Sequence, residues 1–304
     1  MRPAVQTTVQ DLGRRGSRHL GVGACGAMDR LALMIGNALV GNADDAAALE
    51  LCLPPAVIRF DATCFIALTG PDCAARLGGA TLREGRAVVA EAGMTLELSS
   101  TTRGARAYLC IAGGIDVPLV MGSRSTDLQT QMGGFEGRLI RRGDVLQVRP
   151  ADTPPKPASI ALPPIDGPIR VMAGPEFQEF GPEAHAALFE ANWKVTPQSN
   201  RMGFRLDGPV LSRVTDRELK SHAVFPGVIQ VPKGGAPIVL MADAHTTGGY
   251  PRIATVIAAD QWRLAQAPPG GSIRFSACTR TAAAVAWQRQ QTYLQGIRSS
   301  LHAH

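Results

Sequence analysis

Chemistry in this sequence is concentrated in glycine-dense segments that carry polar residues. The fullest segment spans 241–261 and reads MADAHTTGGYPRIATVIAADQ. Its polar residues gather around two adjacent glycines and are Asp243, His245, Thr246, Thr247, Gly248 and Tyr250. Glycine allows the backbone to approach a ligand closely, and an imidazole can serve as a general acid or base. The segment is therefore the best candidate for an active site, with a structural or solvated His245 as the alternative.

Two further segments place arginine beside small polar residues. In QSNRMGFRLDGP, over 198–209, Asn200 could form hydrogen bonds with a substrate amide, and Arg201 could bind an anion. The alternative is that this segment is a hairpin turn. In MGSRST, over 121–126, Arg124 stands between two serines. Because a guanidinium matches phosphate and carboxylate oxygens, Arg124 is either an anion ligand or part of an exposed turn.

The amino-terminal segments VQDLGRRG and GVGACGAMDR carry Asp11 and Asp29. Each is either a ligand-binding loop or a turn with a capping aspartate. No Gly-Lys-Ser/Thr follows Gly21-Val22-Gly23, so this is not a Walker loop. The chain also has no Gly-x-Ser-x-Gly elbow, and its six histidines form no i, i+4 pair on a helix. The patterns thus favour neither a serine hydrolase nor a metal site.

Charge and composition narrow the functional classes. The 304 residues include 31 Lys and Arg against 25 Asp and Glu, a net charge of +6, but the basic residues are scattered and only 5% are aromatic. That distribution lacks the basic stripe of a nucleic-acid-binding protein. Six cysteines without a Cys-x-x-Cys spacing, no secretory signal and no apolar run of about 18 residues predict a soluble cytoplasmic protein with free thiols.

The elements that position these segments are predicted to form two domains. Prolines crowd into 152–168, which reads as a linker between a domain over 1–151 and a domain over 169–280, followed by a helix and tail over 281–304. Short apolar segments between glycine turns predict a mainly β barrel or sandwich in each domain. The expected strands are 56–60, 64–69, 87–89, 95–98, 107–112 and 145–148, then 169–173, 228–231, 238–241, 254–257 and 272–275.

Three helices are expected among these strands. Apolar residues at helical spacing predict a helix over 31–39, with Asp29 as its cap and Gly41 at its end. A second helix should begin at Gly181-Pro182-Glu183 and run toward Trp193. The third, over 281–297, has polar Gln-rich faces and is predicted to dock a partner or a second copy rather than join the core.

Together the motifs resemble a known family. The blocks are TTVQDLGRRG, GAMDRLALMIGNALVGN, the Ala48-Leu49-Glu50 that follows, LTGPD, AGGIDVPLVMGSRST, GGFEGRLIRRGD, SNRMGFRLDGP, FPGVIQVP and TTGGYPRIATVIAADQ. Spread over 5–275, they resemble the family of 5-oxoprolinase C-type subunits, or kinase-inhibitor antagonists, and the carboxyltransferase domain of urea carboxylase. The resemblance implies two cyclophilin-like β-barrel domains in a mainly β chain with a few helices. It also implies companion 5-oxoprolinase subunits of the A and B types, the latter kinase-inhibitor-like, and ATP-dependent opening of 5-oxo-L-proline to L-glutamate.

Residue roles within that activity are hypotheses from side-chain chemistry. The expected catalytic residues are Asp243, His245, Tyr250 and Asp11. The expected substrate-binding residues are Asn200, Arg201, Gln230, Arg124, Thr246, Thr247, Gly248 and Asp29. ATP with Mg is the expected cofactor, at a site shared with one of the companion proteins.

Two other functions stay open on the sequence alone. One is biotin-dependent carboxyl transfer to urea or a similar small amide, for which this chain would be one component only. The other is a non-catalytic regulator that binds a kinase-inhibitor-like partner.

Overall fold

The computed structural model describes residues 2–101, 103–151 and 156–302, and in this part of the chain the protein is mainly β with four α-helices. The chain divides into two compact units. The first unit comprises Met1–Arg15, Cys25–Pro164 and Thr292–His304, and the second comprises Gly16–Ala24 and Ile165–Gln291. The boundaries differ from the predicted 1–151 and 169–280, because the amino-terminal loop belongs to the second unit and the carboxy-terminal segment to the first.

Among the described residues, the first unit contains ten strands, one complete α-helix and the carboxy-terminal part of another. The strands are β1 (Gln6–Gln10), β2 (Ala48–Cys52), β3 (Ala56–Arg59), β4 (Cys64–Thr69), β5 (Arg76–Leu77), β6 (Ala80–Thr81), β7 (Arg86–Ala90), β8 (Thr95–Leu98), β9 (Arg106–Ile111) and β10 (Ala158–Ser159). One antiparallel sheet has the order β1-β2-β9-β4-β7-β10, and a second has the order β3-β8-β5-β6. Aliphatic side chains of both sheets, including Leu49, Ile58, Ile66 and Leu96, share one buried core.

Helix α1 (Arg30–Leu39) lies against β4 and β9 of the first unit. Its predicted cap is confirmed, since the Asp29 carboxylate accepts a hydrogen bond of 2.8 Å from the Ala32 N–H. Gly36 allows close approach to the sheet: a Cβ there would lie 2.5 Å from the Cys110 Sγ. The helix is buried on more sides than an amphipathic pattern implies.

The second unit holds the other ten strands in one large sheet and one small sheet. They are β11 (Ile169–Ala173), β12 (Trp193–Val195), β13 (Gly203–Asp207), β14 (His222–Ala223), β15 (Val228–Gln230), β16 (Ile238–Leu240), β17 (Thr247–Gly248), β18 (Arg252–Val256), β19 (Ser272–Ile273) and β20 (Phe275–Ala277). The large sheet has the order β19-β12-β13-β16-β15-β18-β11-β20, and β14 pairs with β17. All neighbours are antiparallel except β11 and β20.

Three helices complete the described chain. These are α2 (Pro182–Glu190), α3 (Gln261–Ala265) and α4 (Arg280–His302). In α4, Ala286 packs on Ile257 and Ala259 of the second unit, whereas Leu294 and Ile297 are buried members of the first. The expectation that this helix stays outside the core is therefore wrong for these residues, although Val285 and Trp287 are exposed.

Some predicted elements differ from those observed. The predicted strand over 145–148 is reduced to an isolated bridge between Ile115 and Val148. Inside the predicted linker, β10 adds to the edge of β7, so part of that segment belongs to the first sheet. Residues 152–155 of the predicted linker and 303–304 of the predicted tail lie outside the described residues.

Candidate functional site

In the first unit, the Asp11 carboxylate organises the glycine-rich loops. Its Oδ1 accepts hydrogen bonds from the Gly13 N–H at 2.7 Å, from the Ser123 hydroxyl at 2.7 Å and from the Ser125 hydroxyl. Its Oδ2 accepts the Arg124 N–H at 2.5 Å. Asp11 and Arg124, predicted from separate segments, are thus neighbours. Four donors surround the two carboxylate oxygens, an arrangement that suits a residue that positions a loop.

The side chain of Arg124 is only partly engaged. Its Nε donates to the Val117 carbonyl at 3.1 Å, and the residue is half-buried. The serines on either side, expected to help Arg124 bind an anion, instead donate to Asp11. Neither hydroxyl is therefore left to donate to an anion at Arg124.

A buried network holds the start of α1 beside these loops. The Glu50 Oε2 accepts the Met28 N–H at 2.8 Å and the Tyr108 hydroxyl at 2.6 Å, and the Tyr108 oxygen accepts the Asp29 N–H at 2.7 Å. Burial, followed by the charge of Glu50, raises the pKa of Tyr108. Asp29, predicted to bind substrate, is buried here and caps the helix. The sequence 48–50, ending in Glu50, is one of the blocks of the family resemblance, but sequence patterns gave Glu50 no role and did not single out Tyr108, since each reads as an ordinary strand residue.

In the second unit, Arg201 and Asp243 form a buried ion pair. The Arg201 Nε and Nη2 donate to the two Asp243 oxygens at 2.9 and 2.8 Å, and their side chains are 5% and 4% exposed. The Asp243 N–H also donates to the Arg201 carbonyl at 2.8 Å. Two residues predicted to act on substrate thus bind each other. Their geometry suits a clamp that fixes the loop after β16.

A second group in this unit joins β15 to the loop before β18. Gln230 is buried, and its Nε2 donates to the Tyr250 carbonyl at 3.4 Å. A Cβ at Gly248 would lie 2.8 Å from that Nε2, so the glycine makes room for the amide. The Tyr250 ring is 50% exposed. Gln230, Gly248 and Tyr250, which the sequence analysis names as candidate site residues, therefore lie together.

The remaining predicted residues lie at the surface of this unit. His245 is exposed, and Thr247 pairs through β17 with Ala223 of β14, while the Thr246 carbonyl accepts the Val224 N–H at 3.0 Å. Asn200 is exposed and its Oδ1 accepts the Met202 N–H at 2.8 Å, which is the hydrogen bond of a turn. His245 and the Tyr250 hydroxyl are the accessible groups with acid–base chemistry in this segment.

Other features of the described residues limit the chemistry. No group of three or more His, Cys, Asp or Glu side chains there is arranged to hold a metal ion. A cavity of about 900 Å³ in the first unit is lined mainly by apolar residues such as Phe60, Phe65 and Leu146, and by none of the predicted site residues. Within the same residues, no helix is long and apolar enough to span a membrane.

Two sheet-built units with glycine-rich polar loops define a mainly β protein of two units. Residues 20–277 match the family model described as carboxyltransferase domain, subdomain A and B. The chain belongs to this family, which confirms the resemblance seen in its motifs.

Relatives and solved structures agree with this family. The chain is 46% identical over 303 residues to the C subunit of the Escherichia coli 5-oxoprolinase, covering 99% of this chain and 98% of that protein. It is 38% identical over 293 residues to the corresponding 5-oxoprolinase protein from Haemophilus influenzae, covering 96% and 95%. The crystal structure of the K. lactis urea amidolyase matches with a TM-score of 0.91 at 30% identity, covering 97% of this chain and 19% of that one. The mainly β, barrel-type fold is thereby confirmed.

Proposed function

We propose that this chain is the C-type subunit of a cytoplasmic, ATP-dependent 5-oxoprolinase that hydrolyses 5-oxo-L-proline to L-glutamate together with A- and B-type subunits. The observation that carries the proposal is the 46% identity, over nearly the full length of both chains, to a protein named as the C subunit of 5-oxoprolinase. An identity that spans both units makes a shared reaction a stronger inference than a shared fold, which hosts many activities.

The chemistry requires a site that handles anions and protons. A lactam is a poor electrophile, and phosphorylation of its oxygen by ATP would make the ring carbon susceptible to water. Arginine side chains can neutralise the phosphate charge, and an imidazole or phenol can move the proton. In the second unit, this chain offers the exposed His245 and Tyr250 for proton transfer. In the first unit, the guanidinium of Arg124 is a separate candidate for binding an anion.

The ion pair redistributes the predicted roles. Because the Asp243 oxygens accept two hydrogen bonds from Arg201, we assign Asp243 to positioning its loop rather than to proton transfer. Asp11 is assigned to positioning for the same reason. Mg–ATP is assigned to a site that this chain shares with the companion proteins.

Reconstitution tests the proposal directly. Glutamate and phosphate release from 5-oxo-L-proline and Mg–ATP is measured with the A- and B-type subunits, with and without this chain. Turnover should require all three. A fully assembled complex that does not turn over the lactam, or one equally active without this chain, would contradict the proposal.

Two matched tyrosine variants test the site within the complex. Tyr250→Phe removes an exposed hydroxyl, whereas Tyr293→Phe removes a hydroxyl that donates to the Ala161 carbonyl of the first unit. We expect only Tyr250→Phe to lower kcat. His245→Gln should lower it by roughly 10²–10⁴, the range for a lost general acid or base.

Carboxyl transfer is a second candidate because of the structural match to urea amidolyase. It predicts exchange of carboxylate between carboxybiotin and urea by an assembly containing this chain. The same preparation, supplied with a pre-formed carboxybiotin carrier and urea, distinguishes the two reactions by whether the carboxyl group passes from biotin to urea.

A further inference from the structure

Arg14 in the first unit is a buried cation without a counter-charge. The residue is 1% exposed, and its Nη2 donates to the Ser125 carbonyl. Its Nε and Nη1 have no hydrogen-bond partner among the described residues, and no carboxylate there forms an ion pair with it. The buried Arg201 and the half-buried Arg252, in contrast, each form a two-pronged bond with a carboxylate.

A lone buried guanidinium is costly, and Arg cannot relieve the cost by losing its proton. Burial of an unpaired charge is strongly unfavourable, and the guanidinium stays protonated at all ordinary pH values. A fold that keeps Arg14 buried therefore requires something that satisfies these N–H groups. An anion would supply both the missing acceptors and the missing charge.

The surrounding loops are shaped around the guanidinium. Gly133 has a φ of +66°, and a Cβ there would collide with the Arg14 Nη2 and the Ser125 carbonyl oxygen. Among the described residues, the Asp11 oxygens accept hydrogen bonds from Gly13, Ser123, Arg124 and Ser125, and none from Arg14.

Further arginines lie around the same loop. Arg15 follows Arg14 in the chain, and Arg124 is tied to Asp11 through its N–H. The pKa of Arg30 is lowered, first by partial burial and then by repulsion from Arg15. The negative charge of Asp11 raises it, but by less. The charges of Arg15 and Asp11 thus both act on Arg30.

We propose that Arg14 is the buried anchor of a phosphate-binding site in the first unit, with Arg15, Arg30 and Arg124 at its rim. A phosphate group fits better than a carboxylate, because it carries more charge and more acceptor oxygens for several guanidinium groups. The inference rests on the proposed function to the extent that ATP would supply the phosphate. The binding chemistry itself applies equally to free phosphate.

Thermal unfolding of the full chain tests the site without any turnover. The midpoint Tm is measured in inorganic phosphate and in chloride of equal ionic strength, and then with ATP and with 5-oxo-L-proline. At phosphate a hundredfold above Kd, the wild-type Tm should rise by roughly 5–10 °C. Arg14→Met should abolish this rise and, in chloride, be at least as stable as wild type, because it removes a buried unpaired charge.

Matched variants separate the proposal from a merely structural role. Arg252→Met removes an arginine that is paired with Glu176 in the second unit, and it should lower the Tm while keeping the phosphate response. If Arg14→Met does not fold, Arg30→Gln at the exposed rim should still weaken that response.

Three results would overturn the proposal. They are a wild-type Tm that does not respond to phosphate or ATP, a full phosphate response in Arg14→Met, and a response to 5-oxo-L-proline but not to phosphate. A chain that binds phosphate through Arg14 but whose assembled complex does not turn over the lactam would contradict the proposed function alone. Lactam turnover without phosphate binding at Arg14 would contradict this site alone.

Discussion

Asp243→Ala should destabilise the second unit more than almost any other single change in it. The substitution leaves the Arg201 guanidinium, in a side chain 5% exposed, without the two carboxylate oxygens that lie 2.9 and 2.8 Å from its nitrogens. Two charge-assisted hydrogen bonds, each contributing about 1.5–3 kcal/mol, set the scale. Removal of one partner of a buried ion pair costs about 3–5 kcal/mol, which agrees with that sum.

Urea unfolding followed by tryptophan fluorescence measures this loss selectively. All three tryptophans, Trp193, Trp262 and Trp287, belong to the second unit, and Trp193 is fully buried. With a slope of roughly 2 kcal/mol per molar urea, the midpoint should fall by about 1.5–2.5 M. The signal should report little of the first unit.

A double substitution is the decisive control. Arg201→Met combined with Asp243→Leu replaces the pair with apolar side chains of similar volume, and it should recover most of the lost stability, since such replacements are often neutral or stabilising. A loss below about 1 kcal/mol for Asp243→Ala would refute the reasoning. A double variant no more stable than the single variant would do the same.

Three further predictions concern the first unit and can be checked with the isolated chain. Asp11→Asn places an N–H₂ where Oδ2 accepts the Arg124 N–H, so it should cost about 2–4 kcal/mol and speed hydrogen exchange of that amide; unchanged exchange would count against the loop-positioning role. Gly36→Ala should lose about 1–3 kcal/mol by urea unfolding because its Cβ meets Cys110, and adding Cys110→Ala should restore part of this. Burial first, and then the charges of Asp72 and Glu84, raise the pKa of Cys73 to about 12. The stability that the protonated thiol contributes is therefore complete below the unfolded-state pKa near 9 and is lost as the pH rises toward 12. Over that interval, a Cys73→Ala chain should lose less stability than the wild type.

Sequence reasoning succeeded where a local pattern and its environment agree. Helix α1 was predicted from apolar spacing, with Asp29 as its cap, and both are observed. The strands Cys64–Thr69, Thr95–Leu98 and Ile169–Ala173 match their predicted ranges because each is a short apolar run bounded by turn residues.

Strands that carry polar residues were missed for a physical reason. β1 reads QTTVQ and β2 contains a buried Glu50, which local hydropathy assigns to the surface. Glu50 is tolerated inside because distant groups, the Tyr108 hydroxyl and the Met28 N–H, donate to it. Such long-range partners are not visible in a local pattern.

The candidate site shows the same limit. Motifs selected the candidate segments, and the structure brings Asp11 to Arg124, Arg201 to Asp243, and Gln230 to Gly248 and Tyr250. Residue type alone could not tell that Asp11 and Asp243 use their oxygens to bind neighbouring donors. Residue type also gave no sign that Arg14 is fully buried, whereas Arg124 is only half-buried.

The division of the chain into units has a consequence for how such a protein can be split or fused in a gene. A break at the Pro-rich stretch would leave an amino-terminal fragment without Thr292–His304, including the buried Leu294 and Ile297, and a carboxy-terminal fragment without Gly16–Ala24. Neither half would encode a whole folding unit. A gene fusion that keeps both units intact must therefore carry the sequence of the two units as one continuous segment. In line with this, 97% of this chain matches within a single, much longer urea amidolyase polypeptide.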